Sequence, residues 1–93
     1  MAGLHLGEVK KIGFNASVLV DGRDLHVQTE VLTREGIVIR TTILEGGVAK
    51  FAEKRPCPPE VSDLSAFVAV VESQHKQRVE QLRREGAKWL ESI

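Results

Sequence analysis

Between residues 25 and 51, LHVQTEVLTREGIVIRTTILEGGVAKF, apolar and polar side chains alternate almost without a break. A period of two predicts strands with one dry face and one wet face. Upstream, IGFNASVLV (12–20) sets Phe14, Ala16, Val18 and Val20 on one side, and Asp21-Gly22 forms a two-residue turn. The next strand, near Asp24 to Leu32, turns Leu25, Val27, Thr29 and Val31 inward and His26, Gln28 and Glu30 outward. TREG closes a second hairpin, with Gly36 free to take a positive φ. The third strand, Ile37 to Leu44, turns Ile37, Ile39, Thr41 and Ile43 inward, and EGG leads to a shorter fourth strand, VAKFAEK, with Phe51 inward. Three short turns in succession make a four-stranded antiparallel meander over residues 12–55.

The proline-rich RPCPPE ends strand pairing, because proline cannot donate to a ladder. Ser62 is then placed to cap a helix, with Asp63 in its first turn. The apolar period lengthens to that of a helix at Leu64, Phe67, Val68 and Val71. It continues more thinly through His75, Val79, Leu82, Trp89, Leu90 and Ile93, with Gly86 as a kink or an end. The helix, residues 62–93, is expected to cover the dry face of the sheet.

Length then raises a difficulty. Those 32 residues would span about 48 Å as a continuous helix, against about 26 Å for an eight-residue strand. Unless the helix bends at Gly86, its second half overhangs and leaves Val79, Leu82, Trp89, Leu90 and Ile93 wet. A second copy of the chain would cover that stripe, so a homodimer through the helix is expected.

Thirteen basic and thirteen acidic residues cancel in 93, which argues against a general binder of nucleic acid or anionic membranes. One cysteine, Cys57, excludes an internal disulfide framework and a multi-cysteine zinc site. MAGLHLGEVKK lacks the apolar run of a signal peptide, and no run approaches the roughly 18 apolar residues of a membrane span. A cytoplasmic, reducing setting is expected.

Candidate chemistry is sparse. On the wet sheet face, His26, Gln28 and Glu30 stand beside Arg40 and Thr42 of the neighbouring strand. A histidine, a carboxylate and a guanidinium together could bind an anion or do acid–base work. The simpler reading is a solvated face with a Glu30–Arg40 cross-strand pair. Leu19, Leu32, Val38 and Leu44 point to the same side, and that mixture suits a protein partner better than a catalytic pocket. Lys76, Arg78, Arg83, Arg84 and Lys88 could lie along phosphates, but Glu80 and Glu85 interleave and no stacking residues accompany them. His5, His26 and His75 have no metal-ligand spacing, and no phosphate-binding glycine motif or nucleophile elbow occurs. Cys57, between two prolines, has no neighbouring base to activate it.

The stretch DGRDLHVQTEV followed by IVIRTTILEGGVAKF, residues 21–51, resembles a segment of small bacterial proteins of no assigned function, in which an HVQTE strand precedes a β-rich segment and a GG turn. The resemblance implies a bacterial origin and the strand-and-turn order, and no activity or ligand. The expectation is therefore a single α+β domain that is non-enzymatic, needs no cofactor or metal, and serves as a protein-interaction module. A nucleic-acid-binding dimer using the basic half of the helix, and a small-ligand or enzymatic site on the sheet face, are the alternatives.

Overall fold

The computed structural model describes residues 3–93; the first two residues of MAGLHLGEVKK lie outside it. Elements follow in the order α1 (Leu6–Val9), β1 (Gly13–Val20), β2 (Arg23–Leu32), β3 (Val38–Glu45), β4 (Val48–Pro56), α2 (Leu64–Glu85) and a terminal 3₁₀ turn (Ala87–Glu91). The strands form one antiparallel sheet in the order β1-β2-β3-β4. This is an α+β fold: a four-stranded meander followed by a long helix laid on one of its faces.

The register carries the pattern read from the chain. Phe14 pairs with Thr29, Val18 with Leu25, Thr29 with Thr41 and Ile43 with Phe51, so each inward residue meets another inward residue. Asp21 and Gly22 both take positive φ, +51° and +74°, which is the mirror-image turn that matches strand twist. One irregularity falls in β4: Phe51 faces Ile43 and Ala49 faces Leu44, leaving Lys50 as the extra residue of a bulge.

Helix α2 begins one residue later than expected. Asp63, not Ser62, is the N-cap, and its Oδ1 accepts a hydrogen bond from Ala66 N at 2.9 Å. Asp63→Ala is expected to cost about 1 kcal/mol, measurable as a lower urea midpoint with an unchanged slope.

The helix ends at Gly86, and this removes the length mismatch. Twenty-two residues span about 33 Å, the length of the ten-residue β2. Phe67, Val71, Gln74, His75, Val79 and Leu82 all turn to the sheet. After Gly86 the chain folds down, so Ala87 and Leu90 are buried with Val18, Leu25, Val27, Ile43, Val79 and Leu82 in one apolar cluster. The expected overhang is therefore absent. Val79, Leu82 and Leu90 belong to the chain's own core and Trp89 packs against it, leaving Ile93 alone of the five exposed. A dimer seam built from that stripe has lost its apolar surface.

A second cluster holds Val9, Val31, Ile39, Phe67 and Val71, with Leu4, Ile12 and Phe14 against it. Val9 is fully buried, a role the short α1 gave no periodicity to reveal. A polar layer of Thr29, Thr41, Gln74 and His75 lies in the helix–sheet interface where the two clusters meet.

Candidate functional site

Among the described residues, the polar layer between α2 and the sheet buries one titratable group, His75, with Thr29, Thr41 and Gln74. Gln74 Nε2 donates to Ile39 O at 3.2 Å and to Thr41 Oγ1 at 3.0 Å. The carbonyl can only accept, which fixes the amide's orientation. Thr41 Oγ1 is hydrogen-bonded to Thr29 Oγ1 at 2.9 Å, and Thr29 Oγ1 to His75 Nδ1 at 2.8 Å. The run joins Gln74 to His75 through both hydroxyls, and burial favours the neutral imidazole. Desolvation holds the His75 pKa below its ordinary value, opposed by the nearby charge of Glu72. Its place is structural: the chain of bonds satisfies four buried polar groups under the helix.

A pH dependence follows. The unfolded chain takes up a proton on His75 near pH 6.5, while the folded chain resists it to lower pH. The unfolded state then binds more protons, so stability should fall as pH drops from about 7 towards 5. Thermal melts across that range should show the fall, and His75→Gln should flatten it. An equal slope in the variant would contradict the assignment.

On the opposite side of the sheet lie His26, Gln28, Glu30, Arg40 and Thr42. Gln28 is paired with Thr42 and Glu30 with Arg40, and Arg40 Nη2 donates to Glu30 Oε1 at 2.9 Å. His26 Nε2 lies 3.2 Å from Asn15 Oδ1, so the ring turns to β1 rather than to the Glu30–Arg40 pair. Both apolar clusters draw on inward strand residues only, which leaves this outer face without a covering layer. Leu19, Ala49, Ala52 and Lys54 are exposed on it. At one end a depression of about 510 Å³ is lined by Leu32, Arg34, Glu35, Val38, Arg40 and Lys54. It borders Arg40 but not His26 or Glu30. Among the described residues, Arg40 Nε is buried without a protein hydrogen-bond partner.

The basic residues of the helix do not form one stripe. Arg78 is folded inward: it holds Glu53 through two hydrogen bonds of 2.7 and 2.8 Å and lies over the Phe51 and Trp89 rings, 5.0 and 5.6 Å from their centroids. That guanidinium keeps the Glu53 carboxyl below the usual range. Arg83 sits 3.3 Å from Glu80, Arg84 3.5 Å from Glu85 and Lys76 3.7 Å from Glu72, while Lys88 is exposed on the 3₁₀ turn. Acidic neighbours thus balance four of the five. The inward position of Glu53 on β4 was the missed signal, since a polar residue at an inward register position implies a partner from the helix.

Cys57 is half-buried, and burial pushes its thiol pKa up, opposite to the direction a nucleophile needs. Among the described residues no three or more His, Cys, Asp or Glu side chains gather as a metal site, and no helix is long and apolar enough to cross a membrane. No family model, curated protein or solved structure matches the chain.

Proposed function

We propose that the chain is a non-enzymatic protein-binding module that meets its partner with the outer face of the sheet. The observation that carries this reading is the asymmetry of the sheet. Helix α2 buries one face, while the other keeps Leu19, Leu32, Val38 and Leu44 among His26, Gln28, Arg40 and Thr42 with no layer over them. Apolar residues set in a polar rim are the composition of a protein interface. The depression beside Arg40 narrows the partner's chemistry. With Arg40 held by Glu30, Arg34 and Lys54 still outnumber Glu35 around Leu32 and Val38, which suits an apolar side chain flanked by a carboxylate.

Comparative affinity capture tests this. Val38→Glu/Lys54→Glu reverses the depression without touching either core cluster. A protein retained by the wild type and lost by the variant, with equal melting temperatures, is the expected result. Equal retention by both would move the binding surface elsewhere. The apolar stripe of the helix is internal and leaves no apolar seam for self-association along it, and no observation favours phosphate binding by helix residues balanced by acids.

A further inference from the structure

We infer that the free edge of β1 pairs with β1 of a second copy, joining two sheets into one of eight strands across a two-fold axis.

The two edges of the sheet differ. Edge β4 carries Lys50 in a bulge, then Lys54 and Pro56, devices that discourage further pairing. Edge β1, GFNASVLV, has no charged residue, no proline and no bulge over eight residues. Which of its backbone groups are free follows from the turn. Val20 and Arg23 flank a two-residue turn and close it with a hydrogen bond from Arg23 N–H to Val20 C=O. Hydrogen-bonded pairs then alternate along the ladder, so Val20, Val18, Ala16 and Phe14 bond to β2. Gly13, Asn15, Ser17 and Leu19 point their N–H and C=O groups away from it. Among the described residues none of these four has another backbone partner, and all four are exposed.

A second β1 fits this row of groups. Antiparallel pairing centred on Ala16 sets Gly13 opposite Leu19 and Asn15 opposite Ser17, twice each by symmetry, and uses all four free residues of both copies. Shifting the centre to Ser17 leaves Gly13 without a counterpart. In the Ala16 register the axis meets the smallest inward side chain of the strand, and half-buried Phe14 comes to face Val18 of the second copy.

The helix layer agrees with this axis. Helix α2 packs mainly over β1 and β2, so its axis lies about half a strand spacing inside β1, and the seam lies about half a spacing outside it. Two copies of α2 would run about 10 Å apart, a helix-packing distance. Val70 and Gln77 face the β4 side of α2, with Gln77 bonded to Arg55. At 100° per residue, Glu72, Val79 and Arg83 then lie on the opposite flank, towards the seam. Val79 packs in the cluster that Ala16 joins and so lies near the axis. The two-fold brings Glu72 of one copy to the same side of that axis as Arg83 of the other, with opposite charge.

Light scattering on the purified full chain, at two concentrations, tests the inference. The wild type should run at twice the 10.3 kDa chain mass. Ser17→Pro deletes a free edge N–H without touching the β1–β2 ladder, and Ser17→Lys places two cations beside the seam. Each should raise the dimer dissociation constant roughly tenfold or more, and the circular dichroism of Ser17→Lys should match the wild type. Glu72→Arg and Arg83→Glu should each weaken the dimer and the pair together should restore it. A wild-type monomer at both concentrations overturns the inference, as does a dimer indifferent to Ser17→Lys. Should Ser17→Pro fail to fold, Ser17→Lys and the charge exchange decide the question.

Discussion

Leu82→Asp is expected to unfold the chain rather than to split a dimer. Leu82 has no exposed surface and shares its cluster with Val18, Leu25, Val27 and Ile43 of the sheet and Leu90 of the 3₁₀ turn. Truncating a leucine in such a site to alanine already costs about 3–5 kcal/mol. An unpaired carboxylate there adds the cost of removing a charge from water. The whole stability of a 93-residue domain is on the order of 5–14 kcal/mol, so aspartate should leave little of it. Circular dichroism and chemical denaturation of the two variants would show alanine folded with a lowered midpoint and aspartate without a cooperative transition. A folded Leu82→Asp chain would mean that the helix does not cover the sheet as described.

Gly86→Ala should have the next largest effect. Gly86 has φ +81° and ψ 176°, a backbone region open in practice only to glycine. A Cβ added there would lie 2.6 Å from Asp21 Oδ2, closer than real contacts allow. That same carboxylate oxygen accepts the Ala87 N–H at 2.9 Å, tying the β1–β2 turn to the junction between α2 and the 3₁₀ turn. Backbone strain and the collision together should cost about 2–3 kcal/mol. Asp21→Ala alone should cost about 1 kcal/mol for the lost hydrogen bond. The double variant should lose less than the sum, because removing the carboxylate relieves the collision, and a double-mutant cycle by urea denaturation reads that coupling. Strict additivity would contradict the close approach.

The same junction explains what the chain disclosed in advance and what it withheld. The meander was legible because its information is local: alternation at period two, and DG, EG and GG at the three turns. Every inward residue named for β1 and β2 has its inward place, as do Ile39, Thr41 and Ile43 of β3, while Ile37 precedes β3 and packs against the second cluster. The end of the helix was not legible, since Gly86 takes its conformation beside a carboxylate 65 positions earlier in sequence, and Trp89 and Leu90 continue the helical spacing into a 3₁₀ turn. Gln74 was overlooked for a related reason. A glutamine on a helix reads as solvated until Thr41 and the Ile39 carbonyl, more than thirty residues away, give its amide partners. Arg78 read as part of a basic patch, and only the inward register of Glu53 and the Phe51 and Trp89 rings place it in the helix–sheet seam. Alternation alone put Gln28 beside Thr42 and Glu30 beside Arg40, and the register has these pairs. The depression beside it depends on Arg34 and Glu35 of the β2–β3 turn, whose positions relative to Lys54 no periodicity predicts.

Helix α2 seals one face of the sheet, with Val79 and Leu82 beneath it, and leaves the other face open. Nuclear magnetic resonance with a soluble paramagnetic chelate measures this on the intact chain. The methyl signals of Leu19, Ala49 and Ala52 should broaden strongly, while those of Val27, Ile43, Val79 and Leu82 should be spared. Broadening at Val79 and Leu82, with the outer face spared, would overturn this arrangement and return the helix stripe to the surface.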